Sequence, residues 1–333
     1  MKNLVTGGLG FIGSNFILHT LQNYPEIKII NIDAEVLGSN KKNLSKIYTQ
    51  NYKYFKGNIT DKKLIKKLIT KVDTVINFAA ESHVDRSIND SEPFLKSNIL
   101  GVYSILDVIR KSNKQTKFIQ ISTDEVFGSR LKESSKEEDV FNPSNPYSAS
   151  KASAELIAKS YLKTYDLDIM ITRCTNNFGP KQFPEKLIPK TIIRSIKNLK
   201  IPIYGNGKNI RDWLYVEDHC DAIMKVLLKG KSGDSYNISG NNQLSNIQLV
   251  KKILKILGKS DDLVYYVIDR PGHDLRYSLD STKIRHKLAW KPKFKFEQSL
   301  RDTIDWYLEN DDWWKGLASK QMLSPTPWKK YRK

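Results

Sequence analysis

Cysteine is scarce in this chain: two residues, Cys174 and Cys220, in 333. Neither lies in a CxxC or Cys/His pattern, so a disulfide framework and a structural zinc site are not expected. Long apolar runs are also missing. No stretch approaches the roughly 20 apolar residues of a membrane-spanning helix, and the opening MKNLVTGGLG reaches a glycine turn with no apolar leader before it. These absences lead us to expect a cytoplasmic protein with no membrane partner and no metal. Internal repeats are absent too. Acidic residues are outnumbered, with 36 Asp and Glu against 55 Lys and Arg, for a net charge of +19. The lysines come as scattered pairs, such as Lys41-Lys42, Lys62-Lys63 and Lys251-Lys252. They read as a solvated surface, with no specific nucleic-acid partner expected. The one compact basic cluster, residues 328–333, reads as a flexible end.

What is present is ordinary globular composition, 39% hydrophobic and 27% charged, in a chain long enough to bury a core in one large and one smaller domain. Strand-like runs at Lys2 to Thr6, Lys28 to Asp33, Thr74 to Ala79, Lys117 to Ser122 and Asp168 to Arg173 alternate with helical spacing at 15–23, 61–70, 97–112 and 152–164. That alternation predicts an α/β fold with a doubly wound parallel sheet. After residue 175 the alternation fails, and prolines at 180, 184, 189 and 202 mark irregular segments. Helices are expected at 218–229, 245–257 and 297–308, and a strand at 235–239. The expected division is a Rossmann-type domain over 1–175, a smaller α/β substrate lobe over 176–310 partly interleaved with it, and a basic, Trp-containing tail over 311–333 whose tryptophans serve packing or a subunit contact.

Gly7, Gly10 and Gly13 fall in GxxGxxG order between the first strand and the first helix. Glycines there allow a tight turn and close approach of backbone to a pyrophosphate, at a helix end that favours anions. Phe11 and Ile12 lie inside the turn. Asp33 ends the second strand about 20 residues after the last glycine, where a carboxylate grips the ribose hydroxyls of NAD and repels the extra phosphate of NADP. Asn58 and Ile59 end an expected third strand near the adenine. The glycine spacing, in TGGLGFIGSN, resembles the extended branch of the short-chain dehydrogenase/reductase family.

Two further patterns carry chemistry. Tyr147 and Lys151 form YSASK, a YxxxK pair on one helix face. A lysine cation beside the phenol favours phenolate, so the tyrosine can take a hydroxyl proton while hydride leaves the same carbon. The run ISTDEVFG puts Thr123, Asp124 and Glu125 just past a strand end, where α/β sheets build their sites. Two adjacent carboxyls push each other's pKa values apart, so one can serve as acid and the other as base. Asp124 is expected to be the neutral one.

Together with NFAAESHVDRSI (77–88), RCTNNFGP (173–180), FPEKLIP (183–189), IRDWLYVEDHC (210–220) and DRPGHDLRYSLD (269–280), these blocks resemble the dTDP-glucose 4,6-dehydratase family over roughly residues 2–310. The resemblance implies a lyase that oxidises a nucleotide-linked glucose at C4, eliminates water across C5 and C6 and returns hydride to C6 through bound NAD. Tyr147 would take the 4-hydroxyl proton with Lys151 beside it, Thr123 hold the 4-oxygen, Glu125 remove the C5 proton and Asp124 protonate the leaving hydroxyl.

By the same resemblance Phe78, Ala79, Ala80, Glu81, Ser82, Ser97 and Asn177 lie on the cofactor side. Ser82, Asn176, Lys186, Leu187, Pro202, Ile203, Tyr204, Arg211, Asn246, Arg270 and His273 lie on the substrate side, where Arg211, Arg270 and His273 match pyrophosphate contacts. The chain departs from the family at 34–40, which lacks the usual tyrosine, at Asn58 where aspartate is preferred, and at Phe127 and Phe178, which replace tyrosines. Family members are commonly homodimers through two long helices, here 97–112 and 151–164. Alternatives at this stage are a UDP-glucose or other nucleotide-hexose 4,6-dehydratase, a UDP-sugar epimerase or decarboxylase, and a non-catalytic NAD-binding regulatory or nucleic-acid-binding protein.

Overall fold

The apolar runs that alternate with helical segments become the strands of one large sheet. The structure, a computed structural model, describes residues 1–320 and 322–329; most of the basic cluster read from the sequence, 330–333, lies outside the described residues. Strands β1 (Lys2–Thr6), β2 (Lys28–Asp33), β3 (Tyr52–Lys56), β4 (Thr74–Asn77), β5 (Lys117–Thr123) and β6 (Ile169–Cys174) pair in parallel. The seventh, β10 (Ser235–Ile238), joins β6 from beyond residue 175. The order β10-β6-β5-β4-β1-β2-β3 reverses direction between β1 and β4, the switch point at which such sheets bind ligands beyond their carboxyl ends.

Helices cover both faces. Helix α1 (Phe11–Asn23) and helix α8 (Val216–Lys229) share one core, in which Phe16, Ile17, Ile223 and Val226 are fully buried. On the other face lie α2 (Lys62–Ile69), α5 (Gly101–Arg110) and α6 (Pro146–Tyr165), around Ile65, Ile105 and Ala154. Between β4 and α5 run α3 (Val84–Asn89), one turn of α4 (Glu92–Phe94) and a π-helical stretch at Leu95–Leu100. The expected helix over 97–112 therefore begins as a wider coil, which turns Asn98 inward, 1% exposed.

The second lobe holds a three-stranded sheet of β7 (Asn176–Phe178), β9 (Ile210–Tyr215) and β11 (Gln243–Ser245), and a pair of β8 (Ile201–Tyr204) with β12 (Val264–Val267). Around them lie α7 (Leu187–Ile196), α9 (Asn246–Ile256), α10 (Thr282–Leu288) and α11 (Phe296–Glu309), with the short α12 (Asp311–Trp314) after it. Pro189 was expected to mark an irregular segment, but Leu187–Ile196 is helical. Pro189 sits in the first turn of α7, where backbone N–H groups have no partner within the helix, so it costs nothing. The third strand is the aromatic–lysine alternation YKYFK, and GNITD follows it as a turn. Trp313 and Trp314 of the tail are core residues: their indole N–H groups donate to Asn43 Oδ1 and to the Tyr307 carbonyl, each at 2.8 Å.

One ion pair ties the sheet to the helix carrying the YxxxK motif. Arg173 of β6 and Glu155 of α6 are both fully buried, with Nε 3.0 Å and Nη2 2.7 Å from Glu155 Oε2. The Arg173 guanidinium also lies over the rings of Phe127 and Phe141, at 4.9 and 5.3 Å. Removing one partner strands a buried charge, so Glu155→Ala is expected to cost about 3–5 kcal/mol of unfolding free energy. Urea denaturation followed by circular dichroism measures it, and a loss below ~1 kcal/mol would contradict this account.

Candidate active site

Glycine and helix geometry build the first wall. Gly7 has φ +68°, and a Cβ on it would lie 2.7 Å from the Ala79 backbone; a Cβ on Gly13 would meet the Gly7 carbonyl at 2.5 Å. Only glycine permits this approach of β1, α1 and β4. Asp33 holds the turn from below: its carboxylate accepts from the Leu9 and Glu35 amides at 2.9 and 2.8 Å and from Ser39 Oγ at 2.7 Å. The atypical 34–40 loop is thus bound to the same aspartate. In place of the missing tyrosine it offers Glu35, ion-paired with Lys41 and Lys56 and accepting from Tyr54 Oη at 2.6 Å. Asn58 faces the same space and anchors its own turn by accepting from the Thr60 amide and hydroxyl.

This wall opens into a cavity of about 880 Å³ that runs across the switch point to the second lobe. Gly7, Gly10, Phe11, Ile12, Gly13, Asp33, Asn58, Ile59, Phe78, Ala79, Ala80, Ser82 and Ser97 line one end. Thr123, Asp124, Glu125, Tyr147, Lys151, Asn176, Asn177 and Lys186 line the other. The expected proton-handling groups therefore meet on one surface. Thr123 ends β5, and its hydroxyl lies 3.1 Å from Asp124 Oδ1. Asp124 Oδ2 and the Asn176 and Asn177 side-chain oxygens are buried with no protein donor, the surplus a polar ligand would use.

The two carboxyls are not alike. Burial and the charge of Glu125 push Asp124 well above its ordinary value. Burial also raises Glu125, but Arg270, Arg211 and Lys186 pull it back. The two effects favour Asp124 as the proton-bearing partner of the pair.

The YxxxK pair departs from expectation. Lys151 Nζ donates to the Ile121 carbonyl at 2.6 Å, and burial holds this ammonium down at about 8. Burial, with Glu125 next, pushes the Tyr147 phenol well above its ordinary value. Desolvation outweighs the lysine's field here, because the ammonium is turned onto a strand carbonyl.

Of the other expected ligands only Lys186 lines the cavity; Leu187, Pro202, Ile203, Tyr204, Arg211, Asn246, Arg270 and His273 lie beyond it. Lys186 reaches back to donate to the Ser82 carbonyl at 2.7 Å, joining the lobes. Arg211 donates to the Ile210 and Asp274 carbonyls and lies 4.2 Å over the Tyr277 ring, whose hydroxyl is 3.4 Å from Glu125. Arg270 pairs with Asp85 at 2.8 Å, and the Tyr204 hydroxyl donates to the same carboxylate at 2.9 Å. His273 Nδ1 is 2.6 Å from Asp269 Oδ1, but burial and the two arginines hold it down at about 4, so it is a neutral ring rather than a cation at pH 7. Pro202 stands in β8 and Asn246 opens α9. Ile203 is a core side chain, 1% exposed and packed with Val250 and Leu254, and Leu187 packs beside them; neither lines the cavity.

Pattern reading missed a buried polar ladder beneath the site. Thr6 Oγ1 donates to Asn77, Asn77 Nδ2 to Gln120, and Gln120 Nε2 to the Ile121 carbonyl, at 2.5, 2.9 and 2.9 Å. The ladder ends on the carbonyl that Lys151 uses. Asn98 similarly donates to Ser150 Oγ at 2.8 Å and exchanges bonds with the Glu81 backbone. Polar residues at strand centres were the available signal, since such residues persist in a buried sheet only with partners.

A family model described as GDP-mannose 4,6 dehydratase matches residues 4–303. The chain belongs to the nucleotide-sugar 4,6-dehydratase family. Among curated relatives, the low-salt glycan biosynthesis protein Agl12 of Haloferax volcanii is 44% identical over 313 residues, 94% of this chain and all of that protein. The dTDP-glucose 4,6-dehydratase of Bacillus anthracis, solved with NAD, is 45% identical with TM-score 0.89, covering 95% of this chain and 99% of that one. DesIV of Streptomyces venezuelae, a dTDP-glucose 4,6-dehydratase solved with NAD bound, is 40% identical with TM-score 0.93, covering 95% and 100%. As in any fold carrying a desolvated acid, the site opposes stability. A carboxyl with a raised folded-state pKa contributes stability present below its unfolded pKa, about 3.9, and lost as pH rises through the folded value. Asp124→Asn is therefore expected to raise the melting temperature at pH 7–8 and to leave it nearly unchanged at pH 4; calorimetry showing a lower melting temperature at pH 7–8 would contradict this.

Proposed function

We propose that this protein is an NAD-dependent dTDP-glucose 4,6-dehydratase, yielding a dTDP-4-keto-6-deoxyhexose and water. The observation that carries the reading is the convergence of Thr123, two unlike carboxyls and Tyr147 on one wall of a cavity whose other end is a glycine cradle. NAD, held by that cradle and by Asp33, would supply the hydride acceptor for C4 and return the hydride at C6.

The chain's own groups account for the remaining chemistry. Tyr147 as phenolate takes the proton of the 4-hydroxyl, a form that the positive charge of bound NAD would favour against the burial that raises the phenol here, and Thr123 donates to the 4-oxygen. The resulting ketone acidifies C5, and Glu125 removes that proton. Asp124, the protonated member of the pair, delivers its proton to the departing C6 hydroxyl, which leaves as water. Lys186, Arg211 and Arg270 suit a diphosphate, the arginines through their planar forks. The choice of base is supported by the relatives that act on dTDP-glucose.

The test is NAD-loaded protein offered dTDP-glucose, UDP-glucose and GDP-mannose in parallel, with the 4-keto product as readout. Turnover is expected with dTDP-glucose foremost; dehydration of none of them would refute the reading. Tyr147→Phe is expected to slow C4 oxidation by about 10²–10⁴-fold. Asp124→Asn and Glu125→Gln are expected to permit that oxidation and stall water loss, and Glu125→Gln to abolish exchange of the C5 proton with solvent. Exchange at the wild-type rate in Glu125→Gln would assign the base elsewhere. The pH profile of elimination is expected to fall on the acid side as Glu125 protonates and on the alkaline side as Asp124 deprotonates.

The same reading includes a homodimer. Leu100, Tyr103 and Leu156 stand exposed on the stretch before α5, on α5 and on α6, at 51, 38 and 57%. Two copies meeting on these helices would cover them. Sedimentation is expected to give twice the chain mass for the native protein and a monomer for Leu156→Lys; a native monomer would contradict this.

A further inference from the structure

Arg86, in the block NFAAESHVDRSI, has no part in the proton transfers, yet it lines the cavity together with Glu81, Ser82, Glu185 and Lys186. Its guanidinium spans carboxylates from the two lobes. Nη1 donates to Glu81 Oε2 at 2.9 Å and Nη2 to Glu185 Oε1 at 3.1 Å. Glu81 lies between β4 and α3, and Glu185 just before α7. The Arg86, Glu81 and Glu185 side chains are 24, 12 and 6% exposed, so these pairs are not screened as pairs on an open surface are. Beside them Lys186 donates to the Ser82 carbonyl at 2.7 Å, and the same two stretches of chain are thereby joined twice.

Both ends of this tie are anchored near reacting groups. Helix α3, which carries Arg86, is fixed to α6 by Ser87, whose hydroxyl accepts from the Tyr147 amide at 3.2 Å. The Glu81 main chain is held by Asn98, which also donates to Ser150, the residue before Lys151. On the far side Glu185 adjoins Lys186, whose charge acts on Glu125. The tie therefore runs along the cavity wall from the cofactor end, where Ala79 and Ala80 precede Glu81, to the acid end. Among the described residues no other lysine or arginine pairs with Glu81 or Glu185. Burial raises Glu81, Arg86 pulls it back and the charge of Glu185 raises it again, so the two carboxylates sense each other. Without the guanidinium they would meet as like charges across the lobes.

The proposed reaction sets a condition on this wall. Oxidation at C4 gives a ketone, and the hydride comes back only after water has left. A hexose that escapes in between departs oxidised by two electrons with its 6-hydroxyl intact, and leaves one equivalent of reduced nicotinamide behind. Closing elements prevent such losses in active sites generally. We infer that Arg86 is a positioning residue that latches the Glu185–Lys186 stretch of the second lobe to the first and keeps the C4 ketone enclosed until the hydride is returned. The inference rests on the proposed nucleotide-hexose reading.

The experiment compares native protein with Arg86→Ala and Arg86→Lys during turnover of dTDP-glucose. It records the near-ultraviolet absorbance of protein-bound reduced nicotinamide, the released 4-ketone that retains its 6-hydroxyl, and the melting temperature. Borodeuteride traps the ketone by placing deuterium at C4, and mass spectrometry counts it. In Arg86→Ala the ketone released per completed turnover is expected to rise about 10- to 100-fold, the scale on which small misplacements act. One reduced nicotinamide is expected to accumulate for each ketone released, with activity decaying in step. Arg86→Lys keeps the charge but not the planar fork, and is expected to recover part of the retention; it carries the test alone if Arg86→Ala does not fold. Lower melting temperature and slower turnover with no released ketone and no reduced nicotinamide would mean that Arg86 only supports the fold, and overturns the inference. Native retention of the ketone in every folded variant overturns it as well, while leaving the dehydratase reading intact. Native protein that dehydrates no nucleotide hexose overturns both.

Discussion

Two carboxyl groups on consecutive residues, buried together at the carboxyl end of a central strand, are the constraint around which the site is arranged. Buried side by side, the two cannot both be charged. The structure resolves the conflict by asymmetry. Asp124 faces Thr123 and the charge of its neighbour, whereas Glu125 feels Arg270, Arg211 and Lys186 from the second lobe. Both carboxyls stand above their ordinary values, and the cations of the smaller lobe offset the effect of burial more for Glu125 than for Asp124.

That asymmetry depends on rigid support. The Thr6–Asn77–Gln120 ladder crosses three strands and ends on the Ile121 carbonyl, two residues before Thr123, where Lys151 also binds. Four residues further along α6, Glu155 pairs with Arg173, and Arg173 packs under Phe127 at the end of the TDEVF turn. The turn bearing the acids and the helix bearing the tyrosine are thus fixed to each other through buried polar contacts. A half-satisfied network of this kind would be costly, which explains why its members come as complete sets.

Much of this was legible in the residues. Strands β1, β2, β4, β5 and β6, the glycine turn, Asp33 and the helix with Tyr147 follow from local patterns with local causes and stand where the spacing put them, whereas the third strand precedes the GNITD segment expected to hold it. The resemblance added the meaning of Thr123–Asp124–Glu125. What stayed hidden was tertiary. Pro189 disguised α7, because a first-turn proline and a breaking proline look the same without knowing where the helix begins. Asn98 is turned inward by a π-helical stretch that no periodicity announces. Lys151 was expected to serve the phenol, but the choice between a phenol and a strand carbonyl is made by packing. The tail's tryptophans were expected to pack or to meet a second subunit, but their partners are set by tertiary docking: Trp313 and Trp314 enter the core, and Trp328 meets Tyr204.

The central claim is that one carboxyl of the pair holds a proton at neutral pH and that it is Asp124. Infrared difference spectroscopy of the NAD-loaded protein at pH 7 measures this directly, through the carbonyl stretch of a protonated carboxyl. The account expects that band in the native protein, its disappearance in Asp124→Asn and its persistence in Glu125→Gln. A band that survives Asp124→Asn and vanishes in Glu125→Gln would reverse the assignment of acid and base and contradict the account.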